Sequence, residues 1–257
     1  MRFAIALFVT NLKAALALRG AFWLQAGLML VNNLLFFVFW WVLFERFEEI
    51  RGWRIGDVAV LFGVSAAGYG LAAILAGGVH DLARRIDAGE LDPMLTLPRS
   101  VLVQAAGART RPDGWGDVAT GAILVAMSGH LHGAAWVTTP LAMICAGVMF
   151  AAVGVVLHSG AFWLGSVDGL ARQGIELLIT FSVYPPPLFG GALKLLLFTV
   201  LPAGFVGHLP AELVRGFDPA TLALVVGGTI AWAMLAGWVF ERGLRRYASG
   251  SRFGVRD

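Results

Sequence analysis

Charge is scarce in this 257-residue chain: Asp, Glu, Lys and Arg make up 14%, only two residues are lysine, and Cys145 is the single cysteine. A soluble domain carries about 25% charged residues, so a soluble globular fold is excluded. One cysteine excludes an intrachain disulfide, and its place in an apolar run makes it a packing residue. Neither Lys13 nor Lys194 follows a glycine and no GxxxxGK[ST] occurs, so the chain cannot cradle ATP in a phosphate loop. GxSxG, HExxH and any Cys or His cluster are also missing, which leaves no catalytic residue to name. His130 and His132 stand two apart, share no helical face and have no carboxylate nearby in sequence, so no metal site is expected. The basic residues form no dense patch, and nucleic acid is not an expected partner.

What is present is apolar: 58% hydrophobic residues, with 18 Phe, 9 Trp and 33 Gly. Several runs exceed the roughly 20 residues needed to cross a hydrocarbon core as a helix, and none alternates like a barrel strand. Lipid cannot satisfy an open backbone, so the expected fold is an all-α integral membrane protein. Six spans are expected, at 21–44, 57–79, 118–135, 137–164, 170–187 and 222–240, after an interfacial helix over 1–20 that carries Arg2, Lys13 and Arg19. Asn32 and Asn33 lie inside the first span, where amides usually bond to a neighbouring helix. The second is rich in small residues, and Gly63, Ser65 and Gly70 leave part of one face open to close helix approach.

In the fifth span Asp168, Arg172 and Glu176 are spaced four apart, so they stack on one face as a charge ladder, either a structural one at the membrane boundary or one that relays motion from the cytosolic surface into the span. Pro185, Pro186 and Pro187 then break the run, and 188–211 is expected to be a re-entrant helical hairpin bent near Pro202; a plainer alternative makes 190–208 the fifth span.

Six spans put both termini on one side. Fourteen Lys and Arg, in 1–20, 80–117, Arg172 and the tail 241–257, then share that side, against Arg46, Arg51, Arg54 and Arg215 opposite. By the positive-inside rule the fourteen are cytoplasmic, and so is the long polar insertion 80–117. From His80 to Ala88 it has helix-forming residues with the basic pair Arg84 and Arg85, and Gly89 is placed to stop the helix. The next stretch sets Leu91, Met94, Leu95 and Leu97 among polar residues, between and around Pro93 and Pro98. A solvated loop has little use for four large apolar residues in seven, so these are read as exposed knobs that dock into a partner's groove.

These segments carry a resemblance. IDAGELDPMLTLPRSVLVQ after the second span, GARTRPDGWGD before the third, FSVYPPPLFGGALKLLLFTVLPAGFVGHLP and the terminal GLRRYASGSRFG, in this order and spacing, resemble an ABC-2-type exporter permease of the bacterial six-span subgroup over essentially the whole chain. The triple proline departs from the single Tyr-Pro usual there. The resemblance implies one transmembrane domain over 1–257 in the bacterial inner (plasma) membrane. It implies a second permease subunit, identical or related, and separate cytosolic ATPase subunits that bind ATP and Mg, with no cofactor in this chain. It also makes Asp81–Pro98 a coupling helix region, so that Arg84, Arg85, Asp87, Gly89, Glu90, Leu91, Pro93, Leu95, Leu97 and Pro98 are the candidate ATPase contacts. Tyr184 to Pro210, with Pro185 and Pro202, would match the family's outer hairpin. Members of the subgroup have been linked to export of cationic toxic compounds.

Two other classes remain open on the residues alone. A secondary transporter would need inverted repeats and an intramembrane carboxylate. A membrane-embedded lipid-modifying enzyme would need converging polar groups, for which only Asp168, Arg172, Glu176 and His158 are candidates.

Overall fold

The apolar runs, rich in Leu, Ala, Val and Gly, fold as thirteen α-helices, with no strand among residues 2–247, which the computed structural model describes. In chain order they are α1 (Arg2–Ala17), α2 (Arg19–Arg46), α3 (Ile55–Ala76), α4 (Leu82–Asp87), α5 (Asp92–Leu95), α6 (Val101–Ala106) and α7 (Asp113–Met127). They continue as α8 (Ala135–Ser159), α9 (Ala161–Leu164), α10 (Asp168–Val183), α11 (Gly191–Thr199), α12 (Leu209–Arg215) and α13 (Pro219–Leu244). The terminal motif and tail end largely in 248–257, which lie outside the described residues.

Local chemistry sets the ends. Asp218 caps α13 by accepting from the Thr221 amide at 2.8 Å, and Pro219 follows at the first turn, where its missing N–H costs nothing. Helix α10 stops at Tyr184, which is extended because Pro185 disfavours a helical residue before it. Gly89, at φ 75°, closes α4: the Glu90 amide reaches the Arg85 carbonyl at 2.9 Å and the Gly89 amide reaches Ile86 at 3.3 Å. That is a Schellman closure, which needs a residue comfortable in the left-handed region.

Helix α3 is the centre of the bundle. Of its most apolar stretch 78% is buried, against 22% in α2 and 17% in α13, so the last two turn apolar faces outward. It packs on α7 and α8, with α2 covering α7 and with α12 and α13 covering α8. The approach to α7 is backbone on backbone: a Cβ on Gly70 would stand 2.5 Å from the Gly114 carbonyl oxygen, and one on Gly63 would stand 3.0 Å from that of Gly121. Small residues are what allow helices to close to this distance. Gly63 and Gly70 thus share the α7 face, while Ser65 turns to α10 and donates to the Ser182 carbonyl at 3.2 Å.

Among the described residues four helices are long and apolar enough to cross a membrane: Arg19–Arg46, Ile55–Asp87, Ala135–Leu164 and Pro219–Leu244. The expected third and fifth spans differ from what folds. Residues 118–135 were to be a helix, but α7 begins five residues earlier, at Asp113 behind Pro112, and ends at Met127. Gly129 and Gly133, both at positive φ, turn the chain before α8. At 15 and 16 residues, α7 and α10 measure about 22 and 24 Å, short of a hydrocarbon core of about 30 Å. Beyond the prolines, α11 ends at Thr199, the chain turns through Leu201 and Pro202, and a π-helical turn over Gly204–His208 leads into α12.

Two apolar cores follow from this packing. The larger joins α2, α3, α7, α8, α10 and the α11–α12 block. The smaller, built on Leu82, Ile86, Leu91, Val101, Phe162 and Phe240, folds the 80–106 segment onto the ends of α8, α9 and α13.

Candidate functional site

The polar insertion lies at the end of the bundle that also holds both ends of the described chain. Asn11 of α1 donates to the Gly107 carbonyl at 2.6 Å, and the Arg99 guanidinium lies 5.8 Å from the Phe3 ring centroid. From the other terminus, Tyr247 stands on Phe162, ring centroids 6.2 Å apart, beside Asp92. Burial first, and then the hydrogen bond and charge of Asp92, push the Tyr247 phenol up to about 12.

Within the insertion, α4 turns Leu82, Ala83 and Ile86 inward and Arg84 outward, with Arg85 and Asp87 at the margin. Leu91 corrects the expectation of four exposed knobs: it is 0% exposed, packed in the smaller core, because the Schellman turn at Gly89 folds the chain back under α4. Met94 is half-buried against the same core. Exposed apolar surface narrows to Pro93, Leu95, Leu97 and Pro98, flanked by Glu90 and Arg99. Gln104, unremarked in the sequence, holds this tip in shape: its amide nitrogen donates to the carbonyls of Met94 at 3.0 Å and Arg99 at 3.2 Å. Thr96 adds a bond to the Pro93 carbonyl at 2.8 Å.

The expected charge ladder forms only in part. Arg172 Nε meets Asp168 at 2.9 Å, as the spacing requires, but exposed Glu176 joins no ion pair among the described residues. The third member is instead Asp81, 10% exposed, with Arg84 at 3.7 Å, Arg109 at 3.1 Å and Arg172 at 3.9 Å. These arginines come from α4, from the loop before α7 and from α10. Next to them Arg111 pairs with Asp113 and donates to the Tyr69 hydroxyl at 3.3 Å. Above these groups a groove of about 790 Å³ runs out between the insertion and the exposed Leu28, Val31 and Leu35 of α2.

A second cavity, of about 450 Å³, lies deeper and shares Met29 and Asn32 with that groove. Phe36, Phe62, Tyr69, Phe150 and Tyr184 line it, with Asn33 and Asp117. Asn33 donates to Asp117 Oδ1 at 2.7 Å and to Thr120 at 3.4 Å, which is the interhelical role expected of an amide at that depth. Asp117 Oδ2 is buried with no hydrogen-bond partner among the described residues. Asp117 was missed because it stands at the first apolar turn of α7, where an acid reads as loop; its signal was the same small-residue run that lets α7 sit against α2 and α3.

At the opposite end, Asp57 Oδ1 accepts from Arg215 Nε at 2.6 Å and lies 2.9 Å from His130 Nε2, while Oδ2 accepts from the Arg54 amide at 2.8 Å. Arg215 in turn stacks 4.5 Å over Trp53. His130 has a carboxylate after all, brought from 73 positions away, but no group of three metal-ligating residues forms among the described residues. In the block after α10, Pro185, Pro202 and Pro210 are buried, Tyr184 meets Trp40 edge to face with ring centroids 5.5 Å apart, and its carbonyl accepts from His208 Nε2 at 3.1 Å.

Compared with known families, residues 30–251 match the model of an ABC-2 family transporter protein. No curated protein and no solved structure matches the chain.

Proposed function

Because the chain belongs to the ABC-2 family of transporter membrane proteins, we propose that it is the permease subunit of an ATP-driven exporter. It works as a dimer with a second permease, and its ATP and Mg are bound by separate cytosolic ATPase subunits. The observation that carries this reading is the tip Pro93–Pro98: exposed apolar side chains on a backbone already held by Gln104 and seated on a buried core. Such a surface is built to enter a partner's groove at little ordering cost. Arg84, Glu90 and Arg99 around it supply a charged rim.

In this reading the end with the insertion and both chain ends faces the cytosol, and the Asp57–Arg215 end faces outward across the inner membrane. Helices α7 and α10 complete six spans with the help of their flanking turns. The α11–α12 block is the outer re-entrant hairpin. The cargo path runs by the α2 face, where the Asp117 cavity offers one unpartnered carboxylate oxygen among aromatic rings, suited to a cargo with an apolar body and a hydrogen-bond donor.

Purification from native membrane in mild detergent tests the reading. An ATPase subunit is expected to co-purify and to be lost with Leu95→Asp/Leu97→Asp; recovery of the chain without any ATPase, together with transport indifferent to ATP depletion, would refute it.

A further inference from the structure

We propose that Asp81 is a positioning residue that carries movement of the docking segment to α10. The inference rests on the permease reading above and adds to it the joint through which the driven surface and the membrane helices are connected.

The joint lies at the junction of α3 and α4. Gly77 and Gly78 open a 3-10 turn there that ends at Asp81. A Cβ on Gly77 would stand 2.8 Å from the Arg109 carbonyl oxygen, and one on Gly78 would run into that of Ala105. The Arg111 amide also donates to the Ala73 carbonyl at 3.1 Å. The turn and the strand of chain at 105–111 therefore touch through backbone, which leaves side chains little room to absorb a displacement. Asp81 projects from this joint as its one buried charge, and its three partners lie on three different segments: Arg84 on α4, Arg109 before α7 and Arg172 on α10.

Arg172 is the member that leads away from the insertion. Its guanidinium spans Asp81 at 3.9 Å and Asp168 at 2.9 Å, so it is held by one carboxylate of the joint and one of its own helix. Asp168 Oδ1 lies 3.9 Å from His158 Nδ1 of α8, which brings the network against a third helix. A carboxylate shared by three guanidiniums can lengthen one contact while another shortens, so the link survives small relative shifts of the helices. The distances of 3.1 to 3.9 Å leave room for that exchange. Loss of the charge, not of the side-chain volume, would break it, which separates Asp81→Asn from Asp81→Glu.

The experiment uses the reconstituted complex with its ATPase and needs no cargo. In a Cys145→Ala background, spin labels at Ala88→Cys, exposed at the end of α4 and outside the docking tip, and at Gln173→Cys, each paired with Met234→Cys on α13, report the docking segment and α10 separately. With ATP and vanadate both distances are expected to change by about 2 Å or more, the scale of helix shifts in switching proteins. In Asp81→Asn the Ala88 response is expected to persist while the Gln173 response is lost, and Asp81→Glu is expected to restore it. Where Asp81→Asn does not assemble, Arg172→Gln carries the same expectation. A Gln173 response that survives both substitutions, or the loss of both responses together in an assembled complex, overturns the inference. Absence of any nucleotide response at Ala88 in the complex with native Asp81 and Arg172 refutes the permease reading, and this inference with it.

Discussion

The two ends of the bundle each gather several partners around one aspartate, and the two gatherings differ in tightness. Asp57 is held by Arg215 at 2.6 Å, His130 at 2.9 Å and the Arg54 amide, with Arg215 pinned on Trp53. Asp81 meets its arginines at 3.1 to 3.9 Å, and their side chains are 40 to 59% exposed. Short, sheltered bonds to α12 and to the 128–134 turn describe a clamp that keeps one end shut. Longer, wetter bonds to three segments describe a joint that tolerates relative movement. Solvent screening makes the second weaker per contact, so the difference is one of mechanics as well as strength.

Substitutions can break or sharpen that contrast. The largest effect is expected from Leu91→Asp, which places a charge in the core that roots the docking segment: a loss of 3 kcal/mol or more, on the order of that for a large core truncation or an unpaired buried charge, is expected as a fall in the thermal unfolding midpoint in detergent. Asp57→Ala follows, at about 3 kcal/mol, because it leaves Arg215 half-buried with no counter-charge; Asp81→Ala should cost clearly less in the same assay, and equal losses would erase the distinction between clamp and joint. Leu97→Asp comes next. It should move stability by no more than about 0.5 kcal/mol, as exposed positions do, while weakening ATPase association about tenfold in a pull-down titration. The smallest effect concerns Tyr247. Its phenol titrates near 12 in the folded chain against about 10 in an unfolded one, so the fold favours the neutral form. The stability this contributes is complete below about pH 10 and is lost as pH rises toward 12, so Tyr247→Phe should show a shallower decline in that window.

The contrast also separates what neighbouring residues fix from what distant parts of the chain decide. Periodicity and length showed the helical class, the four long apolar helices, the break at the prolines after Tyr184 and the turn near Pro202, because each is fixed by a few neighbouring residues. Asp168 and Arg172 were paired correctly for the same reason: four positions along one helix is a local distance. What escaped was made by distant chain. Glu176 gave way to Asp81, some 90 residues earlier, and His130 found Asp57, because tertiary packing and not spacing decides which charges meet. Leu91 looked like its neighbours Leu95 and Leu97 until the turn at Gly89 sent it inward, and only the facing surfaces of α8, α9 and α13 give it a reason to be there. The early start of α7 was hidden by Arg109, Arg111 and Asp113, whose charges read as loop although the helix begins among them.

The glycine seam between α3 and α7 has a consequence for where motion can occur. Side chains that interdigitate can hop between rotamers and let two helices slide by a notch; two peptide backbones resting on one another have no such intermediate positions. Gly63 on Gly121 and Gly70 on Gly114 therefore turn α3 and α7 into a single stave, fixed in length and register. In the permease reading proposed above, an opening of the molecule has to hinge around that stave, to which Gly116 against the Ala26 carbonyl also fixes α2, and α10 is the leaf that swings. A bulkier residue at Gly70 or Gly114 would be felt first as a change in the spacing of the frame, before any change in the path beside it.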